Sequence, residues 1–151
     1  LSENNQVSIN CYTDASLTDY GEAAISAVVV INGEKRILSA QGRHIGDFGD
    51  DANTNLLETI AIAYGLQITN EVCKLNNLSP IVVRVCSDCK TVVQFLNDEV
   101  EIRNPSSENA KDKILALKTL FPKVNFQWVR GHATNPYNHL ADTIAYSIAR
   151  G

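Results

Sequence analysis

Apolar and polar residues alternate from Val7 to Thr13, with Val7, Ile9 and Cys11 on one side, which is the period of a half-buried strand. Asp14-Ala15-Ser16 follows at its end, and Thr18 to Gly21 reads as a loop. Ala23 to Ile31 is small and β-branched and predicts a second strand. Asn32-Gly33 is a two-residue hairpin signal, and Glu34 to Gly42 is the expected returning strand. The first forty or so residues therefore predict a three-stranded antiparallel meander.

Beyond a Gly-, Asp- and Asn-rich loop (Gly46 to Asn53), the apolar period changes to that of a helix. Leu57, Ile60, Ala61, Tyr64, Ile68 and Val72 recur at helical spacing between Thr54 and Leu75. Asn76 to Pro80 carries turn chemistry, and Ile81 to Cys86 is a short apolar strand of the doubly buried kind. Lys90 to Leu96 predicts a helix. Asp98 to Glu108 is polar and reads as a loop. Asn109 to Leu120 predicts a further helix with Ile114, Leu115, Leu117 and Leu120 turned inward. Val124 to Val129 is a strand, Gly131 to Tyr137 a loop, and Asn138 to Arg150 a closing helix. The order β-β-β-α-β-α-α-β-α demands parallel pairing after the meander. The expected architecture is an α/β domain, one unit over residues 1–151, with a mixed five-stranded sheet and helices on both faces.

Composition narrows the class. With 151 residues, 44% hydrophobic and 20% charged, the chain can bury an ordinary core without disulfides. No apolar run reaches the length of a membrane span. Leu1 to Gln6 is polar and unlike a secretion signal. Cys11, Cys73, Cys86 and Cys89 are too scattered for a disulfide scaffold. The expectation is a soluble, membrane-free protein of a reducing compartment, cytoplasmic or nuclear. The chain has no methionine, so a processed or trimmed chain, or a domain of a longer one, is expected. The net charge of −4 argues against a broad nucleic-acid footprint, but not against a local one.

The acids change the picture. Asp14 is expected at the end of the first strand and Asp88 just past the fourth, where open α/β sheets gather their ligands. Two carboxylates arriving there repel each other unless something positive lies between them. Glu58, early in its helix, and Asp142, early in the last, each have apolar neighbours. Four converging carboxylates suit a hard cation such as Mg²⁺, which takes oxygen ligands. Taken singly, each acid also fits a turn, a cap or a helix N-terminus.

At this point the chain resembles the type 1 ribonuclease H family, which also occurs within reverse transcriptases. The resemblance rests on Tyr12-Thr13-Asp14-Ala15-Ser16, on Asn53-Thr54-Asn55-Leu56-Leu57-Glu58 and on Cys86-Ser87-Asp88. Its most specific part runs from Trp128-Val129-Arg130-Gly131-His132-Ala133 through Asn135-Pro136-Tyr137-Asn138-His139-Leu140-Ala141-Asp142. It covers Val7 to Arg150. It implies an endonuclease that hydrolyses the RNA strand of RNA–DNA hybrids to 5′-phosphate and 3′-hydroxyl ends. It also implies two Mg²⁺ ions, with Mn²⁺ as a substitute. Asp14 would bridge both ions, Asp142 would hold the one on the nucleophile side, and Glu58 and Asp88 the one on the leaving-group side. His132 would assist proton transfer or product release. Asn55 would read the RNA 2′-hydroxyl, with a helix cap as its other reading. Ser16, Asn53, Thr54 and Asn138 fall in the motifs that meet or support the substrate. Lys90 and Arg130 lie near the expected site as candidate phosphate contacts, or as ordinary surface charge. His44 and His139 have no such context and are expected at the surface.

Three departures bear on binding. Ala15 stands where the family usually has Gly, and Asn53-Thr54 reverses the usual Thr-Asn order. The stretch from Leu96 to Ile114 holds Asp98, Glu99, Glu101 and Glu108 in place of a Lys/Trp-rich protrusion. Hybrid affinity is then expected to be weak and salt-sensitive, helped by a neighbouring domain such as a polymerase or by Mg²⁺. Cys86-x-x-Cys89 has the spacing of a redox pair or half a zinc site, but no further soft ligands are suitably spaced. Two alternatives stand beside the enzyme: a weak or inactive module of the same fold, used for nucleic-acid binding or assembly, and a DNA resolvase or exonuclease on that fold.

Overall fold

The computed structural model describes residues 5–34, 36–48, 53–131 and 135–151. The elements are β1 (Gln6–Leu17), β2 (Glu22–Ile31), β3 (Arg36–Asp47), α1 (Thr54–Leu75), β4 (Ser79–Ser87), α2 (Lys90–Leu96), α3 (Pro105–Lys118), β5 (Val124–Trp128) and α4 (Pro136–Ala149). The sheet order is β3-β2-β1-β4-β5, antiparallel through β3, β2 and β1 and parallel through β1, β4 and β5. This is the expected mixed sheet. Its larger core lies under α1, where Ile9, Cys11, Ala27, Val29, Val83 and Val85 meet Ala61, Ile62 and Leu66. On the other face Tyr12, Val28, Val30 and Cys86 meet Ala141 of α4. The two sets alternate along the strands, as the two-residue pleat requires.

Several boundaries differ from the sequence pattern, each for a physical reason. β1 does not stop at Thr13. It runs on to Leu17, because β2 continues to pair with it through Asp14↔Ser26 and Leu17↔Ala23. Asp14 therefore lies within a strand and not after one. The returning strand reaches Asp47, held by Glu22↔Asp47, so the start of the expected loop is paired. The Asn32-Gly33 signal does reverse the chain, but Ile31↔Arg36 is the last pair across it, so the connection exceeds two residues.

Helices α3 and α4 both begin before their predicted starts, at Pro105 and Pro136. Each follows an asparagine whose side chain accepts backbone N–H groups: Asn104 from Ser107, and Asn135 from Tyr137 and Asn138. Proline fits the first helical position because its missing N–H would have no partner there. The earlier start of α3 fixes its inward stripe as Ser107, Ala110 and Ile114, with Leu117 partly covered. Leu115 and Leu120, expected inside, are exposed.

Candidate active site

Sheet register brings the first two acids together. β1 and β4 run parallel, and their last pair is Tyr12↔Cys86. Asp14 and Asp88 each lie two residues beyond that pair, Asp14 still within β1 and Asp88 just past the end of β4. β4 gives way there to α2, while β1 continues along β2, which leaves Asp14 at an open sheet end.

Glu58 comes from α1, whose N-cap is Asn53, its side chain accepting from Leu56 N at 3.3 Å. The capping role thus belongs to Asn53, not Asn55. The helix lies close to β1 because Gly65 leaves room for it. A Cβ at Gly65 would lie 2.5 Å from Thr13 Cγ2 and 2.9 Å from Cys11 Sγ. Glu58 stands two turns N-terminal to that contact, where α1 passes the sheet end. One oxygen from each of Asp14, Glu58 and Asp88 lies within 4.8 Å of the others.

Asp142 is set by α4. Ser26, the β2 partner of Asp14, donates its hydroxyl to the Ala141 carbonyl at 2.6 Å in a buried bond. The residue next to Ala141 is thereby held over β1, and the Asp142 carboxyl reaches Asp14 in a side-chain hydrogen bond. Asp142 is otherwise exposed.

Crowding these acids has an electrostatic cost. Asp14 is only 4% exposed and Glu58 6%. Burial pushes Asp14 up to about 8, and the Asp88 charge and the contact with Asp142 push the same way. Burial first, then the charges of Asp14 and Asp88, holds Glu58 well above the usual carboxylate range. Glu58 Oε1 is buried with no hydrogen-bond partner among the described residues. An all-oxygen donor set, mutual repulsion and an orphaned carboxylate oxygen together fit a hard divalent cation.

The surroundings account for the remaining candidates. Lys90 is exposed, with Nζ 5.3 Å from the centre of the Trp128 ring. The Trp128 indole N–H donates to the Asp88 carbonyl at 3.2 Å. Arg130 is exposed. A Cβ on Gly131 would lie 3.3 Å from Asp88 Oδ2, so this loop passes tightly by the acids. His132 is the next residue and lies outside the described ones, so its expected role rests on sequence. Asn55 is partly buried and its Oδ1 accepts from the Cys89 thiol at 3.5 Å, a contact the sequence did not announce. Thr54 is exposed and Ser16 partly so. Asn138 is buried in the first turn of α4, with Oδ1 unpartnered among the described residues. His139 is exposed, and His44, also exposed, pairs with Glu22 at 2.5 Å. Cys86 and Cys89 are free thiols, the first buried and the second partly so. A cleft of about 970 Å³ lies elsewhere, lined by Phe95, Ile102, Arg103 and Glu108 among others, and none of the four acids borders it. The acids gather at the middle of the sheet, where the parallel pairing of β1 and β4 ends, and not along an edge strand.

This sheet order, with acids delivered by β1, α1, the end of β4 and α4, defines an α/β nuclease built around a carboxylate centre. The chain belongs to the RNase H family, whose family model matches residues 6–150. It is 30% identical over 141 residues to ribonuclease H of Oleidesulfovibrio alaskensis, across 91% of this chain and 87% of that protein. To ribonuclease H of Desulforamulus reducens it is 27% identical over 158 residues, across 97% and 90%. The crystal structure of LC11-RNase H1 in complex with an RNA/DNA hybrid shares the fold, with a TM-score of 0.76 at 19% identity over 95% of this chain and 99% of that one. By this membership the chain is a ribonuclease. Among the described residues no helix is long and apolar enough to cross a membrane.

Proposed function

We propose that the chain hydrolyses the RNA strand of RNA–DNA hybrids, leaving 5′-phosphate and 3′-hydroxyl ends, with two Mg²⁺ ions held by Asp14, Glu58, Asp88 and Asp142. The observation that carries this reading is the gathering of Asp14, Glu58 and Asp88 within 4.8 Å, with Asp142 bonded to Asp14. The hybrid bound by LC11-RNase H1, a protein of the same fold, supports the substrate class. When bound, such a metal pair supplies a water nucleophile at neutral pH and stabilises charge developing on the leaving oxygen. Asp14 would be a ligand common to both ions, Asp142 would hold the one on the nucleophile side, and Glu58 and Asp88 would hold the other.

The protein side chains orient the substrate. With its Oδ1 taken by Cys89, Asn55 has its amide N–H groups left to donate to a 2′-hydroxyl, the group that distinguishes RNA from DNA. Lys90, stacked on Trp128, and Arg130 offer charge to the phosphates beside the acids. Asn53 caps α1 and Thr54 is exposed beside it, so this turn holds Asn55 in place and offers Thr54 to the backbone. Asn138, buried in the first turn of α4, supports substrate contact, and His132 assists proton transfer or product release.

The test is cleavage of an end-labelled RNA–DNA hybrid with Mg²⁺, with and without chelator, beside single-stranded RNA and duplex DNA. The expected result is metal-dependent cutting of the RNA strand of the hybrid alone. Cutting of duplex DNA, or no cutting of the hybrid by folded protein with either Mg²⁺ or Mn²⁺, overturns the reading.

A further inference from the structure

A carboxylate cluster attracts metal ions but repels phosphate, and this chain has a net charge of −4. Holding a polyanion then depends on individual cations placed beside the cluster. Lys90 on Trp128 is one, on the β4–β5 side of the acids. A second aromatic–cation unit stands on the β1–β2 side. Arg150, the residue that ends α4, places its guanidinium 3.6 Å from the centre of the Tyr146 ring. Its Nη1 donates to Ser16 Oγ at 3.0 Å and to the Tyr146 carbonyl at 3.3 Å.

Capping of α4 accounts for the bond to the carbonyl. It does not account for the reach across to β1, where Ser16 is 134 residues away in sequence. Fixing a long exposed side chain in one pose costs rotamer entropy, which a pairing with opposite charge would ordinarily offset. Among the described residues no carboxylate forms a salt bridge with Arg150. Two acids line the same shallow cleft of about 350 Å³: Glu22 is paired with His44, and Asp19 forms no salt bridge with Arg150. Arginine has five N–H donors, and its bonds to the described residues use Nη1. Ser16 accepts from Arg150, which leaves its own hydroxyl hydrogen to donate. It follows Asp14 by two residues on β1, on the same face and roughly 7 Å along the strand. Tyr146, 54% exposed, adds an aromatic surface beside the cation.

We propose that Arg150, stacked on Tyr146 and steered by Ser16, is a backbone-phosphate contact for the nucleic-acid substrate on the side of the carboxylate cluster opposite Lys90. This rests on the hybrid-cleaving function proposed above and adds to it a residue that no motif marks.

The test measures hybrid binding by fluorescence anisotropy over a salt series in Mg²⁺. The protein is Asp14→Asn, which leaves the hybrid intact, carrying Arg150, Arg150→Gln or Arg150→Lys. Losing one phosphate contact weakens binding by about 3- to 10-fold near 0.1 M salt and lowers the slope of log affinity against log salt by about one. Arg150→Lys, which keeps the charge, retains the slope. A purely structural role for Arg150 would not move that slope. An unchanged slope in Arg150→Gln, or an equal loss in Arg150→Lys, overturns the contact. Cleavage by the wild-type chain is measured alongside. Wild-type protein that cuts the hybrid, combined with an unchanged slope in Arg150→Gln, sinks the contact alone. Wild-type protein that fails to cut it, combined with the expected slope change, sinks the hydrolytic reading and supports the contact.

Discussion

Burial and neighbouring charge shift Asp14 and Glu58 toward their protonated forms. Asp14, raised to about 8 in the folded chain, keeps a proton through a range in which an unfolded carboxyl near 3.8 has lost it. Stability follows the difference in bound protons. The Asp14 contribution is therefore fully present below about pH 4 and is lost as pH rises toward 8. Glu58, shifted in the same direction, adds to that loss. We predict that in chelator the melting temperature falls from pH 5 to pH 8, and that Asp14→Asn flattens the fall; a flat wild-type profile would contradict the crowding described here. The same substitution should reduce hybrid cleavage about 10²-fold or more, since it removes ligand charge while keeping volume. Single-turnover cleavage checks this. At this scale the acids were legible because each stands in a recognisable motif. The Cys89–Asn55 and Arg150–Ser16 contacts were not, because they join residues 34 and 134 positions apart and no local pattern encodes them.

Asparagine punctuates the helices. Asn53, Asn104 and Asn135 cap α1, α3 and α4, the last accepting two backbone N–H groups. Apolar periodicity bounded by polar and turn residues was enough to place α1 and α2 as they are found. The starts of α3 and α4 were missed because Asn-Pro also reads as a turn; whether the chain coils afterwards depends on whether a buried stripe follows. Removing a cap costs about 1 kcal/mol. Asn104→Ala and Asn135→Ala should therefore lose similar stability in urea. Only Asn135→Ala should also slow cleavage, because α4 carries Asp142 and α3 carries none of the acids. Equal activities in the two variants would separate α4 from the site. Gly65→Ala forces a Cβ against Thr13 and Cys11. An overpacked contact costs about 1–3 kcal/mol, and here the strain also displaces Glu58 from Asp14. Its signature should be weaker metal-induced stabilisation as well as a lower melting temperature.

For the molecule as a whole, charge is unevenly used. The segment between α2 and α3 is acidic, with Glu99 and Glu101 exposed and Asp98 bound to Lys111 at 2.5 Å. Its field opposes a polyanion, and the opposition weakens as salt screens it. Binding cations at the carboxylate centre works the other way, relieving the repulsion among the buried acids. We predict that Mg²⁺ or Mn²⁺ raises the melting temperature at pH 8, by an amount equivalent to about 2.7 kcal/mol at a hundred times the dissociation constant. Asp14→Asn should abolish most of that rise. Calorimetry with and without metal decides it.

The acids at positions 14, 58, 88 and 142 span nearly the whole chain, and the last sits on the helix that closes the second core against Tyr12, Val28 and Val30. A chain emerging from the ribosome has three of its acids early, but it can neither complete the set nor cover that face until α4 has been made and has docked. With the four acids in the roles proposed above, a chain made only as far as β5 should lack a ligand and leave that face uncovered, so cutting should wait until α4 has been made and has docked.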